Sequence, residues 1–159
     1  MTLFFEDLEI GATDSFGRYE VTREEVIAFA SSYDPQPFHL DDAAAAKSIF
    51  GRIAASGWHT CSMAMRMIVD HWKQNGWAEA SMGGLGMDEM RWPKPVYPGD
   101  ILRCEIELLG KRASASRPEM GIVTSRWNVF NQNDELVLTL ISNGIWKTRA
   151  GGGEGTARN

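Results

Sequence analysis

Apolar positions recur at helical spacing in the first half of the chain and at alternating spacing in the second. Thr22, with Glu25 three residues on, has the form of a capping box, and Val26, Phe29, Ala30 and Tyr33 then repeat every three or four residues. The spacing predicts a helix over 22–33. Pro35 disfavours helical geometry in the residue before it and Pro37 stiffens the next step, so 34–39 reads as a rigid, non-helical turn. Asp41 or Asp42 caps a short alanine-rich helix over 43–50, ended by Gly51. Ser56 and Gly57 open a longer helix on which Cys61, Met63, Ala64, Met65, Met67, Ile68, Val69 and Trp72 cover nearly the whole circumference, which predicts burial on most sides.

Beyond a glycine-rich junction (Gly83, Gly84, Gly86) the period becomes two. Leu102, Cys104, Ile106 and Leu108 alternate with Arg103, Glu105 and Glu107, as in a half-buried strand. Further strands are expected at 86–92, 122–130 and 135–147, with 131–134 as a hairpin turn. Helices followed by strands predict an α+β fold with an antiparallel sheet, and an apolar helix beside strands with one wet face packs best when the sheet curls around it. Residues 1–149 read as one domain, and 150–159, rich in glycine and without large apolar residues, as a disordered tail. On the last strand Leu136, Leu138 and Leu140 face one side and Val137 and Ile141 the other, so both faces want cover and a homodimer or higher homo-oligomer is expected.

Composition narrows the classes without choosing one. With 159 residues, 43% hydrophobic and 23% charged, the chain has the makeup of a globular protein. A formal charge of −5 argues against nucleic acid or an anionic membrane as the main partner, since both select a basic face. The longest uncharged stretch, 53–65, is broken by His59 and falls short of the ~20 apolar residues of a spanning helix. Glu6, Asp7 and Glu9 stand where a secretory leader carries basic residues, which predicts a cytoplasmic address. Cys61 and Cys104 sit inside apolar patterns and suit reduced packing residues.

Candidate chemistry concentrates in Tyr33-Asp34-Pro35-Gln36-Pro37-Phe38-His39, where a carboxylate and an imidazole stand five residues apart on a backbone stiffened by two prolines. Asp and His sharing a water form a general acid/base device. On pattern alone the plainer reading is favoured, with Asp34 capping a turn and His39 bonding backbone. His59 and His71 make no metal-binding spacing with His39; His59 adjoins the site, and His71 reads as a helix-face residue.

Most of the chain resembles the MaoC-like dehydratases, relatives of the (R)-specific enoyl-CoA hydratases. Asp34, Gln36, Pro37 and His39 match the family's signature of Asp, Asn, Pro and His, with Gln36 in the Asn position. Ala55-Ser56-Gly57-Trp58-His59-Thr60 matches the His-Gly segment that opens the central helix, with Ser56 in place of the His. Arg91-Trp92-Pro93-Lys94-Pro95-Val96-Tyr97-Pro98-Gly99-Asp100 matches the Pro-Val, Gly-Asp turn. The resemblance implies a hotdog fold, an acyl thioester of coenzyme A or acyl carrier protein as substrate, and no metal or organic cofactor. It makes Asp34 and His39 the catalytic pair and Gly57 the donor of an N–H to the thioester carbonyl. Physics supports the last point, because unpaired N–H groups and the positive dipole end meet in the first helical turn.

The implied reaction is that of a carbon–oxygen lyase: water adds reversibly across a 2-enoyl thioester to give an (R)-3-hydroxyacyl thioester. Gln36, Trp58 and Ser62 are placed near substrate, and Arg91 and Lys94 are candidate contacts for coenzyme A phosphates, chosen ahead of Arg52, Arg66, Arg112 and Arg117. Met65, with Met63 and Met67, could shape an acyl pocket. Two other readings stand beside this one: a hotdog acyl-CoA thioesterase, since fold does not fix function, and a non-catalytic acyl-binding subunit.

Overall fold

A computed structural model describes residues 1–152. Strand β1 (Thr13–Glu20) is followed by helices α1 (Arg23–Tyr33), α2 (Asp42–Ala46) and α3 (Gly57–Gln74). Strands β2 (Ser81–Arg91), β3 (Ile101–Ala113), β4 (Met120–Phe130) and β5 (Leu136–Lys147) then lead to a helical turn, α4 (Arg149–Gly152). The five strands form one antiparallel sheet in the order β1-β3-β4-β5-β2. With the central helix α3 packed on it, this is the expected α+β hotdog architecture.

The core lies between α3 and the inner face of the sheet. Met63, Ala64, Met67 and Ile68 of α3 are buried against Leu102 and Cys104 of β3, Val129 of β4, and Leu138 and Leu140 of β5. Each such large side chain contributes about 1.5–3 kcal/mol by leaving water. The alternation expected on β3 holds: Leu102, Cys104 and Leu108 face inward, and outside, Arg103 pairs with Glu105 and Asp134 while Glu107 pairs with Arg126. The 131–134 turn forms, closed by the Asn131 side chain, whose Oδ1 accepts the N–H groups of Asn133 and Glu135. Cys61 and Cys104 are both free thiols, and burial pushes the Cys104 thiol up to about 12.

Several local expectations need correction. The glycine-rich junction is not a loop: Gly83, Gly84 and Gly86 lie inside β2, an exposed edge strand with three register shifts along β5. Helix α2 stops at Ala46, short of Phe50, because the Ser48 hydroxyl bonds the carbonyl of Ala45 and the N–H of Phe50 and so competes with helical continuation. Helix α3 is buried or half-buried on most sides as expected, but Trp58, Ser62 and Arg66 leave one exposed stripe. Strand β1 has no counterpart in the sequence reading. Its register shifts between Phe16 and Tyr19, and Gly17 takes φ +85° there, where a Cβ would meet Met67 Sδ at 2.6 Å. The shift erases the period-two signal and lets β1 pass close over α3.

Ala150 to Gly152 belong to α4, which is tied to the N-terminal segment by the Arg149 N–H donating to the Glu6 carboxylate. The rest of the expected tail, 153–159, lies outside the described residues. No helix among the described residues is long and apolar enough to cross a membrane.

Candidate active site

Thr22 caps α1 as expected, its side chain accepting the Glu25 N–H at 3.2 Å. Asp34 ends the helix; its N–H reaches Ala30 O at 2.9 Å while its backbone has already left helical geometry ahead of Pro35. A single 3-10 turn, Pro37–His39, follows, a small departure from the expected non-helical path. The turn carries His39 back over Asp34, so two side chains five residues apart meet: His39 Nε2 lies 3.2 Å from Asp34 Oδ2, with side-chain exposures of 6% and 16%.

The rest of the geometry fixes the His39 tautomer. His39 Nδ1 is 2.6 Å from Ala54 O. A carbonyl only accepts, so Nδ1 carries a hydrogen, and Nε2 meets the Asp34 carboxylate as an N–H donor in the imidazolium and as a lone pair in the neutral ring. Two acceptors at that separation require a proton or a bridging donor such as water. Asp34 is anchored on its other oxygen, where Gln36 Nε2 donates to Oδ1 at 2.7 Å. Burial pushes the Asp34 carboxyl up, but the Gln36 amide, the nearby Ser56 hydroxyl and the His39 ring outweigh it and hold the carboxyl below its ordinary value.

The segment 54–57 joins this pair to α3. Ala54 O holds His39, Ser56 is completely buried with its Oγ unpartnered, and Gly57 is the first residue of the helix. The first intrahelical bond is Thr60 N–H to Ser56 O at 3.1 Å, which leaves the N–H groups of Gly57, Trp58 and His59 without acceptors inside the helix. Trp92 covers Gly57: its Nε1 donates to Gly57 O at 3.0 Å, and a Cβ on Gly57 would stand 2.6 Å from its ring. Glycine is therefore required there by space. Trp58 is exposed and meets Trp92 edge-on, with ring centroids 5.6 Å apart.

The remaining candidates divide. Gln36 reaches the site through Asp34. Ser62 is exposed on α3 and donates to Trp58 O at 2.9 Å. Lys94 is ion-paired with Glu135, and Arg91 is exposed at the end of β2 with no ion pair among the described residues. His59 is buried and stacked on Phe29; burial pushes its pKa down, and its Nδ1 has no partner. His71 is not a free helix-face residue. It stacks on Phe16 and pairs with Asp14 at 2.6 Å, joining α3 to β1.

Met63 and Met67 are core residues, whereas Met65 lines a cavity of about 560 Å³. That cavity lies between the later turns of α3 and the sheet, walled by Val69, Trp72, Trp127 and Trp146, and does not include Asp34, His39 or Gly57. Sequence reasoning assigned no role to Trp92 or Ser56. The available signals were an indole two residues before Lys94 in the Pro-Val turn and a cap-type residue directly ahead of the glycine that opens an apolar helix.

The profile of the family described as MaoC like domain matches residues 9–127. A crystal structure of a MaoC-like dehydratase from Rhodospirillum rubrum is 40% identical, with a TM-score of 0.83 over 92% of this chain and 98% of that one. The uncharacterized protein YdeM of Bacillus subtilis is 31% identical over 81% of this chain and 88% of its own length. A 3-hydroxybutyryl-CoA dehydratase of Methylorubrum extorquens is 29% identical over 67% of this chain and 64% of its own length, so this chain spans just under two thirds of that relative.

Proposed function

Because the chain belongs to the family of MaoC-like domains, we propose that it catalyses the reversible hydration of a 2-enoyl thioester, with coenzyme A as carrier, to an (R)-3-hydroxyacyl thioester. The observation that carries this reading is the Asp34–His39 pair, in contact at 3.2 Å beside the N–H groups that open α3 and have no acceptor within the helix. A similar protein named as a 3-hydroxybutyryl-CoA dehydratase supports it.

In the hydration direction a water lies beside the pair, within hydrogen-bond reach of both Asp34 Oδ2 and His39 Nε2. Ionised Asp34 takes its proton as the oxygen attacks the β-carbon; His39, protonated on both nitrogens, orients the water, gives its Nε2 proton to the α-carbon and regains one from Asp34. Negative charge moves onto the thioester oxygen, which the Gly57 N–H meets at the positive end of the helix; one such donor is worth about 2.7–4 kcal/mol in the transition state. General acid/base catalysis adds typically ~10²–10⁴-fold. The acyl tail runs along the Cys61–Met65 side of α3 toward the cavity. Arg91 serves the carrier's phosphates, and Lys94 does so only by leaving Glu135.

A second copy of the chain covers the exposed apolar groups Trp58 on α3, Met82, Leu85 and Met87 on edge strand β2, and Trp92 just beyond it. Light scattering should report a dimer or larger; a monomer contradicts this part.

Incubation with crotonyl-CoA tests the activity. Loss of enoyl absorbance with no thiol released supports hydration, whereas free thiol would assign the protein to hydrolysis and no change would leave an acyl-binding subunit.

A further inference from the structure

The inner faces of β4 and β5 are apolar rows, Val123, Trp127 and Val129 on one and Leu138, Leu140 and Trp146 on the other, and both rows are interrupted at one level, by Ser125 and Ser142. The two serines are direct cross-strand partners, which puts their Cβ atoms about 4.5–5.5 Å apart, and both line the cavity of about 560 Å³. Ser142 is only 7% exposed, and its hydroxyl makes no hydrogen bond among the described residues. The Ser125 oxygen accepts the Trp127 indole N–H at 3.0 Å, which leaves its own hydrogen unused. A buried hydroxyl without a partner costs free energy, and the partner these two lack is one that enters the cavity.

We infer that this pair makes the cavity selective for an acyl chain that carries a hydroxyl group toward its far end, with Ser142 as the specificity-determining residue. The occupant is neutral. Asp7, Glu9 and Asp14 line the cavity, and no lysine or arginine does among the described residues. Arg149 is paired with Glu6 and Asp7, and His71 has its ring nitrogens engaged by Asn75 and Asp14. A carboxylate there would meet negative charge and no available cation. A hydroxyl matches the serines, because each of the three groups both gives and accepts a hydrogen, whereas a ketone or an ether only accepts. Its place on the chain follows from the helix. Met65 and Val69, which wall the cavity, lie about 12 and 18 Å beyond Gly57 along α3, at ~1.5 Å per residue. With the reacting bond held at Gly57, only a long chain reaches the serines. The inference rests on the proposed hydration for the carrier of that chain, and one arm of its test does not use activity.

Ser142→Ala in the full chain decides it, with folding checked by circular dichroism; the change deletes one oxygen and leaves the backbone bonds of β5 in place. Binding of 1-octanol and of octanoate is followed by tryptophan fluorescence, which Trp72, Trp77, Trp127 and Trp146 in the cavity wall report. The parent protein should bind 1-octanol at least tenfold more tightly than octanoate, and Ser142→Ala should weaken 1-octanol roughly fivefold, the worth of one hydrogen bond, with octanoate unmoved. In the hydration assay, kcat/KM of the parent should favour a long-chain 2-enoyl-CoA ester with a terminal hydroxyl over the plain ester by about tenfold, and Ser142→Ala should bring that preference down to about twofold. A Ser142→Ala protein that binds 1-octanol like the parent overturns the inference and leaves the serine hydroxyl to cavity water. A parent enzyme that treats the two esters alike overturns it as well. A parent that hydrates no ester but binds 1-octanol through Ser142 removes the proposed function and upholds the preference of the cavity.

Discussion

His39 Nε2 faces Asp34 Oδ2 across 3.2 Å while Nδ1 of the same ring is committed to Ala54 O at 2.6 Å. The second contact gives the first its meaning. With a hydrogen held on Nδ1, the side of His39 that looks at Asp34 is an N–H in the imidazolium and a lone pair in the neutral ring, so a proton can pass between the two side chains without either one turning.

The Gln36 amide is one of the groups that keep the Asp34 carboxyl below its ordinary value. A depressed acid is ionised above its folded-state pKa, so hydration that needs ionised Asp34 persists into mildly acidic solution and fails only as pH falls through that value. Gln36→Ala should raise the acid limb of kcat/KM and leave the plateau less affected. A limb that stays in place would show that Gln36 does not act on Asp34.

At Gly57 an added methyl would stand 2.6 Å from the Trp92 ring. Gly57→Ala should cost about 1–3 kcal/mol of stability, the usual penalty of overpacking, and should lower kcat more than it raises KM because the N–H is displaced. Replacing Trp92 by Ala in the same chain should return much of the stability, seen as a recovered Tm. If Tm is unchanged in Gly57→Ala, the indole does not set the geometry of this turn.

Where burial and period agree, the sequence is legible. Thr22 and Glu25 announce α1, Pro35 and Pro37 announce the bend that pairs Asp34 with His39, and the alternation from Leu102 to Leu108 announces β3. Legibility fails where the pattern is interrupted or faces solvent. Strand β1 has a register shift at Gly17 and mostly exposed side chains, so no alternation survives. Glycine inside β2 reads as a break because an exposed edge strand needs no alternating side chains. The exposed stripe of α3 was hidden by Met65 and Val69, apolar residues at the margin of the core. Gln36 and Trp92 act through neighbours turned back on the chain or distant in sequence, and no local spacing encodes such contacts.

Val69 lines the cavity of about 560 Å³ with Met65 and Trp72. If the acyl tail enters it, Val69→Trp should lower kcat/KM for long-chain 2-enoyl-CoA esters by at least tenfold and leave crotonyl-CoA within a factor of about two, one tenfold step corresponding to ~1.4 kcal/mol of lost tail binding. Equal losses on short and long esters would place the tail elsewhere.

The most direct measurement is the kinetics of Asp34→Asn, His39→Ala and the double variant in crotonyl-CoA hydration, with folding checked by circular dichroism. Two groups working on one water are lost together: each single change should cost about 10²–10⁴-fold in kcat, and the double change little more. Small losses that multiply in the double variant would contradict the shared water, and with it the account of this site.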